Sequence, residues 1–286
     1  MAKKKSIVDF KAMKQKGEKI SWLTCYDYHT AKFIERAETD MILVGDSLGG
    51  CVYGYPDDGM SLTIDVMVRH AEAVRRGAPN TFLIGDMPFL SYEILPEEAA
   101  RNAGRYYKEA SVDCVKLEGG RRMAKSIRAI VDAGMVVISH LGLLSQSYGQ
   151  LGGHKIQGRT AENAMNVIED ARAVKEAGAH MVLLEGVTGE VAKFIRDEFD
   201  IPVLGIASGP YVDGQVLIVN DVVGITEGFN VSFLKQYANI AEYSTNAMKE
   251  YVKEVKEGKF PAEKNWNKMN EGEMEKLVKL ANASKK

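Results

Sequence analysis

The chain has 286 residues, of which 45% are hydrophobic and 27% charged, and its formal net charge is -2. A globular chain of this length can build a large core without staples, and its near-neutral balance excludes a global attraction to nucleic acid or to an anionic membrane. Cys25, Cys51 and Cys114 are odd in number and share no C-x-x-C spacing, so neither a disulfide framework nor a zinc site is expected.

The first short apolar run covers residues 20–25, and others follow at 41–45, 81–85, 113–117, 135–139, 180–184, 201–206 and 216–219. Each is rich in Val, Ile and Leu, the pattern of a strand buried on both faces. The stretches between them read as helices. Thr63 caps one that runs through Val68 and Ala73 to Gly77. Pro96-Glu97-Glu98 sets proline and two acids in a first turn, where fixed φ and the helix dipole favour them. That helix reaches Ala110, and another spans 161–177 with Gly178 as its C-cap. From Val231 onward the chain reads as helix, ending in a short amphipathic segment at 271–283.

Eight strands alternating with helices predict a parallel sheet closed as a (β/α)8 barrel, an architecture that takes ~250 residues. A doubly wound open sheet is the competing arrangement. It wants a glycine-rich phosphate loop after the first strand, and Leu23-Thr24-Cys25-Tyr26-Asp27 is not one. The expected organisation is a single barrel domain over 1–260 and a helical C-terminal extension over 261–286. The basic start at 1–5 leads into no apolar signal region, and no run approaches the ~18 apolar residues of a membrane span. A cytoplasmic protein with no membrane partner is expected.

Polar residues gather where the strands end. Asp46 and Asp86 each follow a glycine, Lys116 and Glu118 close the fourth run, His140 follows the fifth and Glu185 the sixth. In a barrel these ends converge on one face, where barrel enzymes place their sites. Unpaired charges in a core would cost several kcal/mol each. Asp46, Asp86 and Glu118 make a hard-oxygen set that suits magnesium, whereas zinc wants more His or Cys. The plainer reading is that the aspartates cap the following loops.

Lys116 has two chemical readings: a cation for a substrate carboxylate, or a Schiff-base lysine. Acidic neighbours favour the first, and a structural ion pair with Glu118 or an aspartate is compatible with it. Glu185 ends an entirely apolar strand, where desolvation raises a carboxylate toward the range of a useful base. Capping a loop amide is the alternative. His140 either donates to a substrate oxygen or bonds to backbone. His29, His70, His154 and His180 read as structural. The glycine-rich 149–153 leads to the basic 155–159, readable as a lid, an anion-binding loop or a plain glycine loop.

These segments closely resemble the ketopantoate hydroxymethyltransferase family. The matching stretches are Leu23-Thr24-Cys25-Tyr26-Asp27-Tyr28, Leu43-Val44-Gly45-Asp46-Ser47-Leu48-Gly49, Arg76-Gly77-Ala78-Pro79-Asn80, Asp86-Met87-Pro88-Phe89, Val115-Lys116-Leu117-Glu118-Gly119-Gly120 and His140-Leu141-Gly142-Leu143. Residues 155–159, Leu184-Glu185 and Asp213-Gly214-Gln215-Val216-Leu217 continue the match in family order.

The resemblance implies a TIM barrel of the phosphoenolpyruvate-mutase/isocitrate-lyase type. It implies magnesium-dependent transfer of a hydroxymethyl group from 5,10-methylenetetrahydrofolate to 3-methyl-2-oxobutanoate, giving 2-dehydropantoate for pantothenate synthesis. Asp46 and Asp86 would ligate the metal, with Glu118 holding it through water. Ser47, Lys116 and His140 would grip the 2-oxo acid, and Glu185 would take its proton. Homo-oligomeric rings, commonly decamers, are implied as well.

The chain departs from the family pattern in several loops. Glu-Cys-Val-Pro is Glu185-Gly186-Val187-Thr188, and Gly-Ile-Gly-Ala-Gly is Gly205-Ile206-Ala207-Ser208-Gly209. Loop 54–63 is altered, and Asn220 stands where the family has His. These changes leave two further readings open: a paralogous metal-dependent aldolase or lyase acting on another 2-oxo acid, and a non-catalytic metabolite-binding barrel.

Overall fold

The computed structural model describes residues 4–56, 59–153, 155–228 and 231–284. Residues 1–3 of the basic start, Asp57 and Asp58 of loop 54–63, and His154 lie outside the described residues. Eight strands close a barrel in sequence order: β1 (Ile20–Thr24), β2 (Met41–Val44), β3 (Phe82–Asp86), β4 (Cys114–Glu118), β5 (Val137–Gly142), β6 (Met181–Glu185), β7 (Val203–Ile206) and β8 (Gly214–Leu217). Each is parallel to the next, and β8 pairs in parallel with β1, so the open doubly wound sheet is excluded.

All eight expected runs become strands. The eighth starts earlier than its apolar run because Gly214 and Gln215 pair with Ile20 and Ser21. The fifth runs on to Gly142, which pairs with Glu185, so His140 lies within β5 rather than after it. The capped helices form as read. Thr63 Oγ1 accepts from Val66 N at the start of Ile64–Gly77, and Thr160 Oγ1 accepts from Asn163 N before Ala161–Glu176. Pro96 opens the helix Pro96–Ala110.

Alternation along the strands divides the core in two. One set of side chains, Ile20, Trp22, Met41, Leu43, Phe82, Ile84, Cys114, Ile138, Met181, Leu183, Leu204 and Val216, fills the barrel interior. The other set packs between the barrel and its helices. The N-terminal helix Ile7–Lys16 sends Phe10 into the interior, edge-on to Phe82 with ring centroids 5.0 Å apart. Gly85 has no room for a side chain: a Cβ there would stand 2.4 Å from the Tyr106 ring.

The chain divides into two compact units, Met1–Tyr237 and Ala238–Lys286. Helix Ile240–Lys256 of the second unit contributes no buried residue. Residues 231–239 are not helical. Helix begins only where the Asn239 side chain accepts from Glu242 N and satisfies an orphan amide. A last helix spans Glu273–Ala283. No helix among the described residues is long and apolar enough to cross a membrane.

Asp40 locks the N-terminal end of the barrel. Its Oδ2 accepts from Ser21 N and Ser21 Oγ, both at 2.7 Å, and Lys5 Nζ stands 2.7 Å from Oδ1. Burial works against the charged carboxylate, yet Lys5 and Ser21 outweigh it and hold Asp40 below its usual value. A depressed carboxylate adds stability above its unfolded pKa, and the gain fades as pH falls through the folded one. Asp40→Asn is expected to cost about 1 kcal/mol at pH 7. Urea unfolding at pH 7 and near pH 3 checks this: the gap to wild type narrows in acid.

Candidate active site

The strand register places the charged groups side by side. Inward-facing positions continue from the barrel core as Phe82, Ile84, Asp86 on β3 and Cys114, Lys116, Glu118 on β4, followed by Ile138, His140 on β5 and Met181, Leu183, Glu185 on β6. Asp86 pairs with Lys116 across β3 and β4, and Glu118 with His140 across β4 and β5. The apolar interior thus ends in a layer of ionisable groups at the C-terminal face. Asp86, Lys116, Glu118 and His140 are at most 3% exposed.

Lys116 Nζ donates to both Asp86 oxygens at 2.7 Å. Asp86 Oδ2 also accepts from Asp46 N at 3.0 Å, which joins the two Gly-Asp turns. Burial pushes Asp86 up to about 7, against the pull of Lys116 and with the push of Asp46. Burial disfavours the Lys116 ammonium, but Asp86, Asp46 and Glu118 prevail and raise it above the ordinary lysine value. The ion pair that the sequence allowed is therefore present, with the nitrogen held as a cation.

His140 stands between two glutamates, Nδ1 3.2 Å from Glu118 Oε1 and Nε2 3.2 Å from Glu185 Oε2. Neither approach is aligned as a hydrogen bond, so the attraction is ionic. Burial opposes the imidazolium, and the two carboxylates overcome it and raise His140 to about 9. Glu118 is fully enclosed. Burial works against its charge, but His140 and Lys116 hold it below its usual value. Its oxygens also accept from Ser145 Oγ at 3.2 Å and Gln146 N at 3.0 Å. Glu185 is the least enclosed of the set at 29% exposed. It is the last residue of β6 and sits partly buried at the rim.

Ser47 Oγ lies 2.8 Å from Tyr26 OH, which accepts from Thr24 Oγ1 at 2.8 Å. His70 is structural as read, with Nδ1 2.6 Å from Tyr26 O and Nε2 3.1 Å from Tyr53 OH. His180 Nδ1 accepts from Val137 N. Among the described residues no group of three or more His, Cys, Asp or Glu is gathered as a metal-ligand set. The adjacent carboxylates Asp46 and Asp86 form a pair, while Glu118 is turned to His140 and the loop after β5. A hard pair of this kind fits magnesium, which takes one or two carboxylates and completes its shell with water and substrate.

The ketopantoate hydroxymethyltransferase family model matches residues 4–263. The chain belongs to this family. A 3-methyl-2-oxobutanoate hydroxymethyltransferase from Alkaliphilus metalliredigens is 55% identical over 263 residues, covering 92% of this chain and 93% of its own. One of the same name from Syntrophomonas wolfei is 45% identical over 267 residues, covering 93% and 96%.

Two solved structures show the fold alone. A phosphonopyruvate hydrolase aligns with TM-score 0.60 at 13% identity over 98% of this chain and 96% of its own. A 2,3-dimethylmalate lyase of the PEP mutase/isocitrate lyase superfamily aligns with TM-score 0.57 at 18% identity over 100% and 98%. The fold is therefore the closed barrel that these structures share, and the protein is a hydroxymethyltransferase enzyme of pantothenate biosynthesis. The non-catalytic barrel is set aside.

Sequence reasoning missed Tyr92 and Gln146. Both are buried, and both touch the site: Tyr92 OH accepts from Glu118 N, and Gln146 Nε2 donates to Asp46 Oδ2. Neither ends a strand, and neither carries a charge to attract notice. Among the described residues Lys116 is the one cation paired with Asp86, so Lys116→Met leaves a buried acid without its partner. Urea unfolding of the metal-free protein is expected to show a loss of about 3 kcal/mol, well beyond the cost of an exposed lysine.

Proposed function

We propose that the enzyme transfers a hydroxymethyl group from 5,10-methylenetetrahydrofolate to 3-methyl-2-oxobutanoate, giving 2-dehydropantoate, with magnesium at Asp46 and Asp86. The observation that carries this is the buried Asp46–Asp86–Lys116 cluster beside the rim carboxylate Glu185. The named activity of relatives at 45–55% identity supports the substrate. When bound, magnesium supplies Lewis-acid polarisation of the keto group.

The chain's own residues do the rest. Lys116 presents a fixed ammonium for the substrate carboxylate, and Ser47 offers a hydroxyl held by Tyr26. Glu185 takes the proton from the carbon next to the keto group, and His140 keeps it oriented through the 3.2 Å approach to Oε2. Water cleaves both carbon–nitrogen bonds of the methylene bridge, so that tetrahydrofolate leaves and the one-carbon unit is freed at the formaldehyde level. The enolate carbon then bonds to that unit, whose oxygen takes the proton held by Glu185 to become the hydroxyl. Glu118 holds His140 and the loop after β5, and would steady the metal through water when the metal is bound. The same reading includes homo-oligomeric assembly in the cytoplasm. Helix Ile240–Lys256 supports assembly, since it buries no residue and exposes Tyr243, Met248 and Tyr251.

A second reading, the same enolate chemistry on another 2-oxo acid, draws on the altered loops 54–63 and 186–188. One assay separates the two. Purified protein with magnesium, methylenetetrahydrofolate and 3-methyl-2-oxobutanoate is expected to form 2-dehydropantoate. Absence of product, with deuterium washing into a different 2-oxo acid, selects the second reading.

Glu185→Gln is expected to slow α-deuterium exchange by about 10²–10⁴-fold and leave magnesium affinity intact. Exchange at the wild-type rate would remove Glu185 as the base. Borohydride should trap no substrate on Lys116; a trapped adduct would replace the metal-enolate route by a Schiff base.

A further inference from the structure

We infer that Gln146 is a positioning residue that fixes the Asp46 carboxylate and couples it to the loop after β5. This rests on the reading above that Asp46 holds magnesium. Gln146 lies in the short turn Ser145–Ser147 and is buried. All its polar side-chain atoms are engaged. Nε2 donates to Asp46 Oδ2 at 2.9 Å and to Met87 O at 3.1 Å, and Oε1 accepts from Tyr92 OH at 2.5 Å. Its backbone N donates to Glu118 Oε2 at 3.0 Å.

The proton positions follow without ambiguity. A backbone carbonyl can only accept, so the amide nitrogen must face Met87 O and, with it, Asp46. Tyr92 OH already accepts from Glu118 N at 3.1 Å, so its single proton goes to Gln146 Oε1. A directed chain therefore runs from Glu118 N through Tyr92 and Gln146 to the Asp46 carboxylate. Each link polarises the next, and the final acceptor is an ion in a dry environment. One Asp46 oxygen is held by the protein, which sets how the carboxylate is presented to a cation. Glu118 binds the same turn through Ser145 Oγ and Gln146 N, so the turn cannot shift without disturbing both acids.

Outer partners of metal-holding carboxylates typically carry 10–100-fold of metal affinity. The test is Mn2+ and Mg2+ titration by calorimetry on the full-length protein, with urea unfolding of each variant alongside. Gln146→Met keeps the shape and removes both donors, and is expected to weaken Mn2+ binding by about 10–100-fold. Tyr92→Phe removes the hydrogen bond that seats Gln146 Oε1 and is expected to lose affinity in the same direction, by less. Asp40→Asn is destabilised at the other end of the barrel and should bind as wild type does.

Folded Gln146→Met with wild-type affinity overturns the inference. So does Tyr92→Phe with wild-type affinity, should Gln146→Met fail to fold. An equal loss in Asp40→Asn overturns it as well, since affinity would then follow stability alone. Wild-type protein that binds neither cation instead sinks the magnesium reading itself, and the inference with it.

Discussion

The site depends on one ammonium group buried at the mouth of the barrel. Lys116 lies among Asp86, Asp46 and Glu118, and each carboxylate makes the cation less costly there. The converse holds for Asp86, which burial alone would keep protonated and which Lys116 draws back toward charge. Neither partner is tolerable alone in a layer this dry, because a buried charge without its partner costs several kcal/mol. The cluster is therefore assembled as a unit or not at all. That mutual dependence keeps opposite charges side by side at the mouth of the barrel.

What holds the unit in register is the sheet itself. A strand presents every second residue inward, so the apolar interior and the charged layer are successive rungs of the same ladders. Asp86 meets Lys116 and Glu118 meets His140 because β3, β4 and β5 pair at those residues. A one-residue slip in any pairing would turn an acid outward against its helix and an apolar side chain into the mouth. Packing of Phe10, Phe82 and Ile84 below thus fixes the electrostatics above.

Most of this was legible in the sequence, for a physical reason. Fully buried strands need continuous apolar runs, and an acid or lysine closing such a run stands out. Asp86, Lys116, Glu118 and Glu185 were found that way, and so was the number of strands. The ends were less legible, because pairing rather than composition sets them: β8 starts at Gly214 on the strength of Ile20, and β5 takes in His140 because Gly142 pairs with Glu185. Tyr92 and Gln146 were illegible. Uncharged residues in loops declare themselves only through partners distant in the chain, such as Asp46, a hundred positions before Gln146.

The departures from the family pattern take on a different weight once they are seen in space. Segments 186–188 and 207–208 are neighbours, and each supplies what the other uses. Ser208 Oγ donates to Leu184 O at 2.8 Å and accepts from Val187 N at 3.2 Å, gripping the backbone on both sides of Glu185. An alanine there could do neither. Thr188 N donates to Gln157 O at 3.0 Å, and Thr188 Oγ1 reaches Gly158 O at 3.2 Å. A proline at that position has no N–H to give. Ala207 stands at φ +52, a conformation that favours the glycine of the family pattern. The strain at one residue is thus offset by hydrogen bonds at its neighbours. The altered residues thus add hydrogen bonds to the backbone on either side of Glu185, at Leu184, Val187 and Thr188.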